Sequence, residues 1–486
     1  LTIAQAVRAV EDIFFNTSND LYDLRLPLRP FPSPAKLEQK LLSSGTSDLQ
    51  TLTTFLEEHP TIKFLRVQFV DYTATSRLRV VPVKRALALL QKEGNLNVGI
   101  TKAALGLLQN DMIIPGVAPI GEYRLKADFS SLCLGPSDGY ASVYGDLLEA
   151  NGSQASLCPR STLQKVLEAS SSQGLDYLIG FEIEIVFMSR TPDGKVSTLA
   201  SSGGHAWSSP RALQDTDILS ALNEIYDTLS AAGIDLEMFH PESSSGQYEF
   251  VLPPFPPLQS ADTLLHTREI ITAVTAKYGI RATLIPKPFP MMAGTASHVH
   301  LSIASPDGDK KEVYGPFYAG VLKHMKAIIA FTYSNPCSYD RMVDGCWAGG
   351  RWVAWGTQNK ETALRKISGS HFEFKVLDGL ANVYFALAAI LAAGALGVKN
   401  KEKLTIGDCG KDPGLLTEKE REELGVTEML PKDLREALRE LASDDSLVEV
   451  LGKDVVERYA AVKRAEMELL AGMKEDERRE WVIQRY

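Results

Sequence analysis

Residues 180–187 read GFEIEIVF, a run of β-branched and aromatic residues that predicts a strand, with Glu182 and Glu184 set two positions apart inside it. On a strand, residues i and i+2 share a face, so both carboxylates project together while Ile183 and Ile185 turn the other way. Three further stretches share this pattern: GQYEFVL at 246–252, SHVHLSI at 297–303 and HFEFKVL at 371–377. They group His298, His300 and Ser302 on one face, and His371, Glu373 and Lys375 on one face, with Val299, Leu301, Phe372 and Phe374 behind. The predicted sheet is apolar on its core side and densely ionisable on the other.

A single strand with alternating Glu is ordinarily the solvated face of an antiparallel sheet. Four such strands carry more weight, because clustered carboxylates repel unless their pKa values shift or cations neutralise them. Glu182, Glu184, Glu242, Glu249 and Glu373 with His298 form a mostly hard oxygen set, which suits Mg2+ or Mn2+ better than zinc or copper. Two divalent ions would nearly balance the five charges and leave positions for phosphate oxygens. The chain has no GxxxxGK[ST] loop and no protein-kinase motif set, so any nucleotide is bound in another way.

The rest of the chain bounds this reading. Its 486 residues are 44% hydrophobic and 23% charged, an ordinary globular composition long enough for two or three domains. A net charge of −10 and no long Lys/Arg cluster argue against nucleic-acid or anionic-membrane partners and favour small substrates. Cys133, Cys158, Cys337, Cys346 and Cys409 are odd in number and lack CxxC spacing, which predicts reduced thiols and a cytoplasmic protein. The glycosylation patterns at Asn16 and Asn151 are short enough to arise by chance. The most apolar run, 383–398, falls short of the roughly 18 to 20 residues of a membrane span and predicts a buried helix. No signal peptide is expected at the start, which is a leucine.

Residues 1–60 predict a helical leader: Ile3, Val7, Val10, Ile13 and Phe14 keep helical spacing, and helical pattern resumes after the break RPFPSP. Residues 61–155 turn to strands, IKFLRVQFVD and SRLRVVPV, then a helix at KRALALLQKEG, which predicts a small α+β domain. The remainder, 156–486, alternates strands and helices and closes in charged helices, the last expected over about 453–484. There is no internal repeat or extended low-complexity segment.

In this order and company, the motifs resemble the glutamine synthetase family. GFEIEIVF is similar to its paired-Glu strand, ESSSGQYEF to its Glu and Gly-Gln-x-Glu segment, AGTASHVHLS to its glycine-rich loop and His-x-His-x-Ser strand, and HFEFKVLDGLANVYFALAAILAAG to its strand and Asn-Pro-Tyr helix. The resemblance implies an α+β fold, with a small N-terminal β-grasp-like domain before a catalytic domain built on a curved antiparallel sheet with surrounding helices. It implies that Glu184, Glu242 and Glu249 ligate one metal and Glu182, His298 and Glu373 another. Glu237, His300 and Ser302 fall where the family contacts ATP, and Arg365 where an arginine meets the γ-phosphate. Arg341 resembles the arginine that holds the substrate carboxylate, and Gly294 lies in the loop bordering the amino-acid substrate. The implied reaction activates a carboxylate as an acyl phosphate, which an amine displaces. A ring-shaped homo-oligomer with sites between subunits is implied too.

The chain departs from the family pattern at several places. The flap after SYDR carries Trp347 where a glutamate takes a proton from ammonium, and NVGITKAALGLLQND replaces the Asp-Gly-Ser-Ser loop. Lys360 and Lys375 replace arginines, which keeps the charge without the bidentate fork, and His371 replaces a third. Val383 stands for the helix proline and Ala296 for a loop glycine. Such flap departures mark the FluG-type and γ-glutamylpolyamine synthetase-like branch. The expectation is a ligase joining glutamate, or another acid, to an amine larger than ammonium, with Trp347 as an aromatic wall. The alternatives are a glutamate–ammonia ligase and a weakly catalytic scaffold or regulator. Cys337 and Cys346 are expected to be ordinary buried thiols, and His240, His266 and His324 structural side chains.

Overall fold

The computed structural model describes residues 47–190, 196–199 and 206–486. The expected helix at 3–14 and the break at 30–34 lie outside the described residues. The chain divides into two units; of the described residues, 47–60 and 87–95 belong to the first, and 61–86 and those from 96 to 486 to the second. In the first unit, Asp48–Glu58 is a helix started by Ser47, whose hydroxyl accepts the Gln50 N–H at 3.3 Å.

The second unit holds two sheets. The smaller contains β1 (Phe64–Val70), β2 (Ser76–Pro82), β3 (Asn97–Thr101), β4 (Glu122–Ala127), β5 (Cys133–Leu134) and β6 (Tyr140–Leu148), in the order β2-β1-β6-β4-β3 with β5 beside β6. Its central pair, β1 with β6, is parallel and its flanks are antiparallel. The larger contains β7 (Tyr177–Arg190), β8 (Val196–Thr198), β9 (Met238–Pro241), β10 (Gln247–Val251), β11 (Ile280–Thr283), β12 (Ser297–Ile303), β13 (Trp355–Thr357), β14 (Leu364–Ser368) and β15 (His371–Phe374). Its order is β13-β14-β15-β12-β7-β10-β9, with β8 and β11 at the far end of β7, and it is antiparallel except for the pair β13–β14.

The alternation in the four acidic strands sorts their side chains. Ile183, Ile185, Val299, Leu301, Phe372 and Phe374 are each no more than 2% exposed. Burying each such side chain is worth about 1.5–3 kcal/mol, and together they anchor the strands from behind. The sheet leans on the helix Pro257–Lys277, where Ser260 donates to the Ile179 carbonyl of β7 at 2.9 Å and Arg268 to Ser297 of β12 at 2.8 Å. That helix also meets the smaller sheet: Glu269 accepts from Arg66 at 3.0 Å and Gln68 at 2.6 Å.

The apolar run forms the helix Val383–Asn400, capped by Asn382, whose side chain accepts the Tyr384 N–H at 3.1 Å. By length and composition it could cross a membrane, yet most of it is buried against the helices Lys311–Lys323 and Pro159–Ser171. Its small residues permit the first of these contacts. A side chain at Gly320 would come within 2.7 Å of the Gly397 Cα, so both backbones must be bare there. The expected single C-terminal helix is two, Lys453–Ala471 and Glu475–Ile483, broken at Gly472–Met473.

Candidate active site

Register decides which ionisable groups meet. Glu184 on β7 lies opposite Glu249 on β10, Glu182 opposite His298 on β12, and His300 opposite Glu373 on β15. Glu249 in turn faces His240 on β9, and Glu373 faces Arg365 on β14. The ionisable row therefore crosses six strands, above a cavity of about 140 Å3.

Hydrogen bonds link the row. Glu182 accepts from His298 Nδ1 at 3.1 Å and His300 Nε2 at 3.0 Å. Glu373, 1% exposed, accepts from Lys375 Nζ at 2.9 Å and Arg365 at 3.0 Å. One oxygen of Glu184 accepts from the Gln247 amide at 3.1 Å and the Ala296 N–H at 2.9 Å. His240 Nε2 lies 3.1 Å from Glu249, and the Trp207 indole N–H donates to Glu242 at 2.8 Å.

The charges are uneven. Burial pushes Glu184 up to about 7; His298 opposes this, and Glu249 and Glu242 add to it. Burial also raises Glu249, against the hydrogen bond from His240. Burial would raise Glu182 as well, but His298 and His300 hold it well below the usual carboxylate range. Glu373 ends at about 2, because Lys375 and His298 outweigh its burial. The hydrogen bond to Glu249 lifts His240 to about 9. Facing carboxylates such as Glu184 and Glu249 destabilise a bare sheet, and a divalent cation relieves that repulsion.

The donor set fits hard divalent cations. Among the described residues, three groups have ligand atoms within 4.8 Å of one another: Glu182 with Glu249 and His298, His240 with Glu242 and Glu249, and Glu182 with His300 and Glu373. This differs from the expected division into Glu184–Glu242–Glu249 and Glu182–His298–Glu373. Glu184 joins none of the three groups, although its second oxygen lies 3.7 Å from His298 Nδ1 and the residue lines the cavity, whereas His240 and His300 each join one.

The remaining predicted residues separate into those at the cavity and those away from it. Gly294, Arg341, Trp347, Lys360, Arg365 and Lys375 line it. A side chain at Gly294 would strike the Pro286 carbonyl at 2.6 Å and the Arg341 Cβ at 3.2 Å, so its bareness seats Arg341. Arg341, 4% exposed, donates to Tyr333 at 2.5 Å, and its buried Nε has no partner among the described residues, as is true of the Arg365 Nε. Trp347 is 57% exposed at φ +54°, and its backbone N–H donates to Glu361 at 2.9 Å. Lys360 Nζ stands 6.0 Å from the Trp347 ring. Glu237 and Ser302 do not line the cavity, and Glu237 is exposed. The physical reason is parity: His240 and Met238 share the row's face on β9, which places Glu237 one position out of phase.

The sequence set aside His240 and Cys346, the latter exposed at the cavity where a buried thiol is expected, and did not single out Trp207 or Gln247. His240 had a legible signal, since it precedes Glu242 by two residues. Trp207 lies in an irregular loop and reaches Glu242 only through tertiary folding.

The fold and this row of acids and imidazoles, with the buried Arg341 at the cavity wall, form a candidate enzyme site. The glutamine synthetase catalytic-domain model matches residues 156–486, and the chain belongs to that family, whose homologues are ATP-dependent ligases. The protein fluG of Emericella nidulans is 42% identical over 491 residues, which cover all of this chain and 55% of that protein, so the chain spans about half of that relative's length. A gamma-glutamylpolyamine synthetase of Streptomyces coelicolor is 29% identical over 84% of this chain and 90% of its own. A glutamine synthetase of Halobacterium salinarum is 28% identical over 83% and 90%. Among solved structures, a GmaS/ADP complex superposes with a TM-score of 0.76 at 26% identity, covering 88% of this chain and 98% of that one.

Proposed function

We propose that the chain is an ATP-dependent ligase that activates the γ-carboxyl of glutamate as an acyl phosphate and forms an amide with an amine larger than ammonium. The observation that carries the acceptor assignment is Trp347, a broad aromatic surface at the cavity wall where a glutamate base is expected. The similarity to a gamma-glutamylpolyamine synthetase supports it. Relatives named glutamine synthetase match about as well, so the decision rests on the flap residue.

In this reading Glu182, Glu184, Glu242, Glu249, Glu373 and His298, with His240 and His300 beside them, would hold Mg2+ or Mn2+. Held there, such cations would supply neutralisation of phosphate charge and polarisation of the phosphoryl group. Arg341, buried at the cavity wall beside Gly294, holds the acid substrate's carboxylate. Arg365, braced by Glu373 and Gln358 at the cavity wall, stabilises the charge that develops on the transferring phosphate. Lys375 keeps Glu373 ionised. The carboxylate oxygen of glutamate bonds to the γ-phosphorus as the bond to ADP breaks. The amine nitrogen then attacks the acyl carbon, phosphate leaves, and the nitrogen's extra proton passes to a base.

The test is ATP-dependent phosphate release with Mg2+ and glutamate, run against ammonium, hydroxylamine and a panel of organic amines. Release with an organic amine well above both ammonium and the amine-free control is expected. A preference for ammonium, or no release with any amine in protein that still binds ATP, would overturn the reading.

A further inference from the structure

Arg341 ends the short helical turn Pro336–Arg341, which follows the helix Met325–Thr332. Asn335 starts that turn, accepting the Cys337 N–H at 3.0 Å, and its own amide donates to Glu466 at 3.1 Å. The backbone between helix and turn is thereby pinned, and Tyr333, wholly buried, is brought against the arginine. Arg341 Nη1 donates to the Tyr333 hydroxyl at 2.5 Å and more weakly to the Lys375 carbonyl at 3.4 Å, and the guanidinium carbon lies 5.7 Å from the centre of the Tyr333 ring.

The guanidinium is thus divided between protein and cavity. Tyr333 holds Nη1, and Nε is buried next to Gly294, where a side chain would come within 3.6 Å of it. Nη2 makes no hydrogen bond among the described residues and, unlike Nε, is not closed to solvent, so it is the corner left to the cavity that Arg341 lines.

A phenol suits this task. Burial pushes the Tyr333 hydroxyl up to about 12, against the pull of Arg341, so it accepts as a neutral group. Burial also opposes the charge on Arg341, but Tyr333, Glu184 and Asp378 more than offset it. A carboxylate in the place of Tyr333 would pair with the guanidinium and compete with an acidic substrate, whereas a neutral acceptor orients the group and leaves its charge available. Without the hydroxyl, Nη1 loses its short bond, and the fields of Glu184 and Asp378 draw the guanidinium from its seat. On the reading that Arg341 holds the acid's carboxylate, we propose that Tyr333 is a positioning residue: it fixes Arg341 by Nη1 so that Nη2 meets that carboxylate, and it thereby sets the affinity for the acid.

The test is phosphate release as a function of glutamate concentration, at saturating Mg2+, ATP and the preferred amine, in the wild type, Tyr333→Phe and Tyr339→Phe. Tyr339 is the control. Its ring lies 5.9 Å from that of Tyr333 and its hydroxyl is buried without a partner among the described residues, so the same atom leaves the same core without touching Arg341. In Tyr333→Phe the KM for glutamate should rise about tenfold, the order of one hydrogen bond to a charged group, with kcat and the KM for ATP within about twofold of the wild type. Tyr339→Phe should match the wild type throughout. An unchanged KM for glutamate in Tyr333→Phe, or an equal rise in Tyr339→Phe, would overturn the proposal. Crystal structures read the same point without turnover: Nη1 should stay on Tyr333 in the wild type, and the guanidinium should leave its place in Tyr333→Phe. A guanidinium turned away from Tyr333 in the wild type, or unmoved in the variant, overturns the proposal as well. Absence of turnover in the wild type counts against the proposed function, and the two structures then decide the role of Tyr333. Should Tyr333→Phe fail to fold, the wild-type structure decides alone.

Discussion

Replacing Trp347 by glutamate tests the acceptor assignment at its most sensitive point. The flap backbone should survive the change, because the residue is held through its main-chain N–H to Glu361 at 2.9 Å, a bond any side chain permits. The φ of +54° is already unfavourable for tryptophan and is no worse for glutamate. Two effects then act in opposite directions. Loss of the aromatic surface removes the attraction between ring and cationic or apolar amine, about 0.5–2 kcal/mol, or roughly 2- to 30-fold in kcat/KM for the organic amine. The introduced carboxylate supplies a base for ammonium, an effect on the order of 10²–10⁴-fold where a proton must leave in the transition state. Lys360, 6.0 Å from the present ring, would attract the carboxylate by about 1 kcal/mol after allowance for exposure, enough to hold it at the cavity without removing its basicity. The ratio of ammonium to organic-amine turnover should therefore rise by about 10² or more in Trp347→Glu. The assay is phosphate release with each acceptor under matched ATP and glutamate, checked by product analysis in a mixture of both. An unchanged ratio in folded, ATP-binding protein would refute the reasoning and reduce Trp347 to packing.

Three other outcomes can be measured. Glu184→Gln and Glu373→Gln should each weaken Mg2+-dependent ATP binding at least tenfold by calorimetry, since one removes a charge from the facing pair with Glu249 and the other strands Lys375, 3% exposed, without its carboxylate; wild-type affinity in both would dismiss the metal site. Arg160, engaged by Asp262, Asp146 and Asp128, is the charge whose loss in Arg160→Ala leaves Asp262 buried and uncompensated, so urea unfolding should show a loss of about 3–5 kcal/mol, against less than 1 if the cluster is merely a surface network. Burial pushes Asp378 up to about 6, despite opposing hydrogen bonds from Ser338 and the Leu380 N–H. The folded state thus keeps a proton that the unfolded state releases near pH 4, and this residue's contribution to stability falls between pH 4 and 6 and is flat above. Relative to Asp378→Asn, wild type should lose about 3 kcal/mol across that window, and parallel pH curves would contradict the assignment.

Much of the site was legible before any fold was known, because strand parity is a local property. The two-residue spacing in GFEIEIVF, SHVHLSI and HFEFKVL states which side chains share a face, and the burial of Ile183, Val299 and Phe372 follows from that alone. The buried helix Val383–Asn400 was equally plain, although nothing local explained why its alanines and glycines were needed until Gly397 met Gly320. Departures such as Trp347 were visible as departures, and their position at the cavity wall supplied their meaning.

The sequence by itself determined the faces: which carboxylates and imidazoles look forward and which isoleucines and phenylalanines look back, since that depends only on the chain's two-residue pleat. Tertiary structure decided the partners. Only the register of β7 against β10 and β12 sets Glu184 before Glu249 and Glu182 before His298, and only β9 pairing with β10 draws His240 into the row and leaves Glu237 out. The tie between Tyr333 and Arg341 belongs to that level too. The two side chains meet because the chain leaves its helix at Thr332 and turns again over 336–341, and a contact set by where the backbone turns is not encoded in any periodic spacing.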